Sequence, residues 1–263
     1  MKTYTVNAFT HKPFTGNPAG VCLLDEPLNE EMMLHMAAEI NHSETAFILR
    51  EGDFFSLRWF TPKIEVSLCG HATLSAAHIM FENRLVDEGT AIQFSTKSGV
   101  LTAKKTGQMI ELDFPQVPLI SCESNEILEK AFGISPLFTA KNEKRYLIEI
   151  DNLEKLKAIQ PDFNLLKQSD RGAFIITCKG DNKYDFYSRF FAPYAGINED
   201  PVTGSAHCSL APHWGKKLQK KLLKAFQASE RGGEMECELQ VGNRVLLRGN
   251  AITISEIIWN EKL

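Results

Sequence analysis

The chain has 263 residues, 43% of them hydrophobic, and a formal net charge of −4 at pH 7. That length and apolar content suffice for two ordinary domains with a core each. The small acidic charge, without a basic block, excludes the electrostatic footprint of a nucleic-acid binder, and no apolar run reaches the length of a membrane span. Six scattered cysteines (Cys22, Cys69, Cys122, Cys178, Cys208 and Cys237) form no C-x-x-C pair. This argues for free thiols in a reducing compartment and against structural zinc. The first residues alternate like a strand and lack the apolar core of a signal peptide, so a cytoplasmic location is expected.

In chain order, residues 3–9 read as a first strand, 11–20 as a Pro- and Gly-rich loop and 21–24 as a short second strand. Asn29 can cap a helix whose apolar residues Met33, Met36, Ala37 and Ile40 recur at helical spacing, with Glu30 and Glu31 in its first turn. The apolar run 46–49 and residues 54–60 follow as strands. Residues 72–81 are small or apolar on nearly every side, which predicts a buried helix. Strands are expected at 91–96, 100–104 and 109–114, with a linker at 115–118. In the second half, 124–133 and 152–159 read as peripheral helices. Residues 205–214 read as a second buried helix that Pro212 should kink or end. Strands follow at 223–228, 235–239, 244–248 and 251–257.

Two of these stretches repeat each other. R-W-F-T-P-K-I-E-V-S-L-C-G-H-A (58–72) matches R-F-F-A-P-Y-A-G-I-N-E-D-P-V-T-G-S-A (189–206). Arg58 to Arg189 and Pro62 to Pro193 are both offset by 131, Phe94 to Phe226 by 132, Gly70 to Gly204 by 134 and Gly107 to Gly242 by 135. A near-constant offset implies two copies of one unit, each with a glycine opening a helix. Such a corner offers backbone N–H groups and the positive end of a helix dipole, which suits an anion. The expected fold is α+β: two similar halves, each a curved mixed or antiparallel sheet wrapped around a central helix, with the active site in the inter-domain cleft. The halves are placed at 1–114 and 119–254, with the C-terminal strand 255–263 a candidate to join the first. An alternating strand–helix series is absent, which speaks against a doubly wound parallel sheet.

No P-loop, G-x-G-x-x-G, H-E-x-x-H or G-x-S-x-G motif occurs, so neither a metal nor an organic cofactor is expected. Five ordered motifs instead resemble the phenazine biosynthesis-like (PhzF-like) proteins of the diaminopimelate epimerase superfamily. They are N-A-F-T-H-K-P-F-T-G-N-P-A-G-V (7–21), S-E-T-A-F (43–47), R-W-F-T-P-K-I-E-V-S-L-C-G-H-A-T (58–73), E-D-P-V-T-G-S-A-H (199–207) and S-E-R-G-G (229–233). The resemblance covers nearly the whole chain. It implies a cofactor-free isomerase of two similar halves, often a homodimer, acting on a small carboxylate substrate.

The resemblance assigns Glu44 the role of general acid/base. From the residues alone, a carboxylate beside the run 46–49 can be partly desolvated, which raises its pKa, though on position alone an exposed glutamate at a strand start is the commoner case, and it is the resemblance that reverses this. It assigns His71 to holding or protonating substrate and Asp200 to a polar, often amino, substituent. A packing histidine and a turn-forming aspartate are the plain alternatives. Gly70, His71 and Ala72 at one corner, and Gly204, Ser205 and Ala206 at the other, are candidate carboxylate contacts. Ser205 is also read as a cap of its own helix, and Asn17 as a further polar contact. Arg58 and Arg189 are read as salt-bridged or exposed, and Cys208 and the remaining histidines as structural or surface groups. Cys69 and Thr203 are further candidates, because diaminopimelate epimerases pair two cysteines where this chain has Cys69 and Thr203. A threonine hydroxyl is too weak an acid to partner a thiolate, which favours Glu44 as the base. Two alternatives stand: a racemase or epimerase using Cys69 with a second base, and a catalytically silent binding or regulatory protein on the same fold.

Overall fold

The computed structural model describes residues 1–52 and 54–260. It divides into two compact units, residues 1–113 with 246–263 and residues 114–245. Residues 261–263, the end of the strand expected at 255–263, lie outside the described residues.

The first unit contains β1 (Lys2–Ala8), β2 (Asn17–Leu24), α1 (Glu30–Ile40), β3 (Thr45–Glu51), β4 (Phe54–Phe60), β5 (Glu65–Val66), α2 (Gly70–Glu82), β6 (Ile92–Thr96), β7 (Gly99–Thr106) and β8 (Met109–Pro115). β1 and β2 are antiparallel, β2 and β3 parallel, and β3 and β4 antiparallel. β4 and β6 are parallel, and β6, β7 and β8 continue antiparallel. Asn29 caps α1 by accepting the Met32 N–H at 2.8 Å. Met33, Met36 and Ala37 bury that helix against Cys22, Phe47 and Phe60. α2 is the central helix. It packs on β1, β2, β3 and β7 and is buried from His71 to Phe81 except at His78, as a helix without a polar face must be.

The second unit contains β9 (Ile120–Ser121), α3 (Glu126–Phe132), β10 (Phe138–Lys141), β11 (Arg145–Ile150), α4 (Leu153–Ala158), α5 (Phe163–Leu166), β12 (Ala173–Lys179), β13 (Phe186–Ala192), β14 (Ile197–Asp200), α6 (Gly204–Leu218), β15 (Leu222–Gln227), β16 (Gly233–Gln240) and the first two residues of β17 (Arg244–Gly249), whose remainder belongs to the first unit. Asn125 and Asn152 cap α3 and α4 through their side chains, and Gly133 closes α3 in the left-handed region. The last strand, β18 (Ala251–Ile257), returns to the first unit and pairs antiparallel with β1.

The duplication extends to strand pairing. β10 to β13 repeat the antiparallel, parallel, antiparallel order of β1 to β4. β13 and β15 are parallel and β15 and β16 antiparallel, as β4, β6 and β7 are. The register agrees to within one residue: Phe55 lies opposite Phe94, and Tyr187, one residue past the counterpart of Phe55, lies opposite Phe226. β18 on β1 corresponds to β9 on β10. The fold is therefore α+β, with a mixed sheet and a central helix in each unit.

Three expectations need correction. β2 begins at Asn17, so the loop read at 11–20 is shorter. Pro18 enters the strand because it sits next to the strand start, where a missing N–H is tolerated. α6 runs through Pro212 to Leu218. A proline leaves the carbonyl four residues back without its helical donor. That carbonyl belongs to Cys208, and it accepts the Val117 N–H at 2.9 Å, so the break is repaired from outside the helix. Finally, no strand is delimited in the sequence between residues 134 and 188, where β10, β11 and β12 lie, although β11 and β12 carry mostly apolar runs. Among the described residues no helix is long and apolar enough to cross a membrane.

Candidate functional site

Glu44 immediately precedes β3, and Cys69 and His71 flank the glycine that opens α2. These two local structures bring four side chains together. His71 Nε2 lies 3.3 Å from Glu44 Oε2 and 3.3 Å from Ser43 Oγ. Cys69 Sγ lies 3.5 Å from His71 Nδ1. Burial pushes the Glu44 carboxyl above the usual carboxylate range, opposed in part by hydrogen bonds from Ser43 and Cys69. Its side chain keeps 15% exposure, so it is desolvated yet reachable. A carboxyl raised in this way can both accept and return a proton at a pH closer to neutral than an ordinary glutamate can. The residue at the cap position of α2, Cys69, makes no side-chain capping hydrogen bond. The start of α2, at Gly70, His71 and Ala72, thus keeps the anion-favouring character of an uncapped helix end.

The placement of Glu44 depends on Gly20. Its N–H donates to the Glu44 carbonyl at 3.1 Å, and it lies opposite Thr45 in the parallel β2–β3 pair. A Cβ at Gly20 would meet Thr45 Oγ1 at 2.6 Å and Cγ2 at 2.9 Å. Thr45 is fully buried and cannot retreat. Gly20→Ala is therefore expected to cost about 1–3 kcal/mol, the usual range for overpacking. It should also lower activity by displacing the neighbouring Glu44. Thermal denaturation and turnover of the same preparation check both, and an unchanged melting temperature would remove Gly20 from this role.

In the second unit, Asp200 ends β14 and Thr203 occupies the cap position of α6. Thr203 Oγ1 donates to Asp200 Oδ2 at 2.5 Å. Gln227 ties the segment from below. Its Oε1 accepts the Thr203 N–H at 2.8 Å, and its Nε2 donates to the Asp200 carbonyl at 2.7 Å and to Thr203 Oγ1 at 3.2 Å. His207 Nδ1 lies 2.8 Å from the Thr203 carbonyl, and complete burial pushes its pKa down to about 4, so the ring is neutral and structural. Arg145 Nη1 donates to the Ser205 carbonyl at 2.8 Å, while its Nε has no hydrogen-bond partner among the described residues.

Ser205 needs a correction. It is the second residue of α6, with Thr203 at the cap, so it does not cap its own helix. It is half-buried, whereas Gly204 and Ala206 beside it are buried. Positive φ occurs at other glycines, such as Gly16 and Gly232, and at neither corner. The corner glycines are therefore not required by an unusual backbone. Asn17 is fully buried in β2 opposite Ala8. Cys208 is buried, with its thiol pushed up to about 12. Ser43, Gln227 and Arg145 went without a role in the sequence reading. Ser43 stood beside Glu44 in S-E-T-A-F and was within reach. Gln227 and Arg145 act across 24 and 60 residues, and no local pattern marks them.

By register, the duplication identifies what the second unit has in place of the Glu44 cluster. Phe47 pairs with Arg58, and Ile176 with Arg189. Ser43 and Glu44 then correspond to Gly172 and Ala173, and Cys69 and His71 to Thr203 and Ser205. The carboxylate, thiol and imidazole are confined to one copy.

The sequence profile described as phenazine biosynthesis-like protein matches residues 6–257. The chain belongs to the phenazine biosynthesis-like family. It is 50% identical to a protein of Halalkalibacterium halodurans named an uncharacterized isomerase, over 95% of each chain. It is 44% identical to another protein of that name from Pseudomonas aeruginosa, over 97% of each. A crystal structure of a PhzF-family phenazine biosynthesis protein from Enterococcus faecalis matches with a TM-score of 0.93 and 40% identity, over 97% of this chain and 98% of that one.

Proposed function

We propose that this protein is a cofactor-independent isomerase that moves a carbon-bound proton within a small carboxylate substrate, with Glu44 as general acid/base. The observation that carries the reading is Glu44 itself: a carboxyl raised in pKa by burial, still accessible, and 3.3 Å from His71. The relatives named isomerases support the reaction class. In this reading Glu44 removes a proton from carbon and returns it elsewhere. His71 steadies the substrate or shares the proton. The backbone of Gly70, His71 and Ala72 binds carboxylate oxygens, and the helix start at Gly204, Ser205 and Ala206 offers anion-favouring N–H groups of the same kind. Asp200, fixed by Thr203 and Gln227, receives a polar substituent such as an amino group. Wash-in of deuterium from D₂O into a panel of small unsaturated and amino acids tests the proposal. No exchange with any member, in protein shown to be folded, counts against it.

A second reading keeps Cys69 as a base, favoured by its 3.5 Å approach to His71 Nδ1. The two readings differ in the number of bases. A two-base mechanism needs a thiolate counterpart in the second unit, where the corresponding Thr203 hydroxyl is committed as a donor to Asp200. With one base, the acid formed on Glu44 can reprotonate substrate before exchanging with solvent. A substrate deuterated at the abstracted position should then yield product that retains measurable label, and Cys69→Ala should stay active. An inactive Cys69→Ala variant together with complete loss of label to water would transfer the role to Cys69.

A further inference from the structure

The donors around the start of α2 also fit a chemistry that proton transfer does not use. Glu44, Cys69 and His71 each offer one ligand atom, and these atoms lie within 4.8 Å of one another. With His71 Nε2 as the nitrogen donor, Glu44 Oε2 is 3.3 Å away and Cys69 Sγ is 3.9 Å away. Zinc bonds to nitrogen and oxygen of about 2.0–2.1 Å, and to sulfur of about 2.3 Å, set tetrahedral edges of roughly 3.3 Å for N–O and roughly 3.6 Å for N–S. The two edges that meet at His71 Nε2 already stand within a few tenths of an ångström of that geometry. Among the described residues this is the only such trio of carboxylate, thiol and imidazole.

We propose that Glu44, Cys69 and His71 form an inhibitory site for a borderline-soft divalent cation, zinc, with water in the fourth position. A mixed oxygen, nitrogen and sulfur donor set suits zinc and discriminates against magnesium and calcium, which take oxygen ligands. Bound zinc together with a Cys69 thiolate and a Glu44 carboxylate carries no net charge. The positive end of the α2 dipole therefore opposes occupancy little. The partial exposure of Glu44 gives the ion and its water a way in. A coordinated carboxylate has lost the lone pair that accepts a proton, so zinc should stop turnover. That consequence rests on the proposed role of Glu44, whereas binding does not.

Cobalt(II) reports the site without any turnover. Chelator-treated, reduced protein titrated with Co²⁺ should bind one equivalent and develop a thiolate-to-cobalt charge-transfer band, with the intense visible bands of four-coordination. Zinc should abolish these bands stoichiometrically. Cys69→Ser should remove the charge-transfer band, and Glu44→Gln should weaken zinc binding by at least the roughly 10–100-fold that loss of a mere outer-shell contact causes. His35→Ala, at an exposed residue, should leave both unchanged. Absence of the band in wild-type protein, or its persistence in Cys69→Ser, overturns the site and leaves the proton-transfer role of Glu44 standing. If Cys69→Ser does not fold, the wild-type titration and Glu44→Gln decide. With an exchange substrate in hand, zinc should inhibit and chelator should restore the rate. A cobalt-binding protein that turns over unimpaired with zinc bound overturns the inhibitory role.

Discussion

Glu44→Gln should lower isomerisation or hydrogen exchange by about 10²–10⁴-fold, the usual contribution of a positioned acid/base. The amide keeps the size of the side chain and removes the oxygen that accepts a proton. Fold stability should not fall. A carboxyl whose native pKa is raised ionises more readily in the unfolded chain, so it withdraws stability as pH rises above the ordinary glutamate value. Removing it should leave the melting temperature at neutral pH at or above that of wild type. The same shift fixes the sign of the rate profile. The base form appears only above the raised pKa, so wild-type kcat/KM should climb with pH to a plateau, with its midpoint above the usual glutamate range. Full turnover in Glu44→Gln, or a midpoint at the ordinary glutamate value, contradicts the assignment.

How much of this was legible in the sequence depended on how far apart the interacting residues lie. The duplication was legible because its marks are local and repeated. Arg58 and Arg189, Gly70 and Gly204, and the apolar stretches after the glycines recur at one offset. The buried α2 was legible because residues 72–81 are small or apolar on nearly every side. The start of β2 was not, since a T-G-N-P-A-G run signals a loop, while its strand pairing is set by β1 and β3 on either side. The course of α6 past Pro212 was hidden too, because its repair comes from Val117, 91 residues earlier than Cys208. At the site, Glu44 and His71 could be named as motif residues. Their approach to 3.3 Å is a consequence of β3 and α2 meeting in space. The Gln227 clamp under Asp200 and Thr203 is tertiary and left no local trace.

The largest loss of stability is expected at Arg189, and the repeat explains why. In each copy an arginine on a long strand grips the glutamate of the short strand that precedes the glycine corner. Arg58 binds Glu65 on β5 through Nε at 2.8 Å and Nη2 at 2.7 Å. Arg189 binds Glu199 on β14 through Nε at 2.7 Å and Nη2 at 2.8 Å. Each guanidinium also lies over the ring two residues on, Phe60 at 5.1 Å and Phe191 at 4.9 Å. The surroundings differ. Arg58 is 29% exposed, and Lys97 also pairs with Glu65, so Arg58→Ala leaves that carboxylate a partner. The Arg189 side chain is 11% exposed and Nη1 also donates to the carbonyls of Leu156 and Ile159 at 3.0 and 2.8 Å. Arg189→Ala strands one carboxylate and two carbonyls at once. Removing one partner of a buried pair costs about 3–5 kcal/mol, whereas Arg58→Ala should cost less, because Glu65, although only 6% exposed, keeps Lys97. Denaturant unfolding of the two variants measures the difference. The consequence reaches function, because Glu199 is followed directly by Asp200, whose carboxylate Thr203 holds. A loosened β14 should raise KM for a substrate bearing a polar substituent and spare the proton-transfer step, leaving kcat near wild type in protein kept folded. Equal destabilisation by Arg58→Ala and Arg189→Ala would show that burial does not distinguish the two pairs. A fall in kcat with KM unchanged would show that β14 does not position Asp200 for binding.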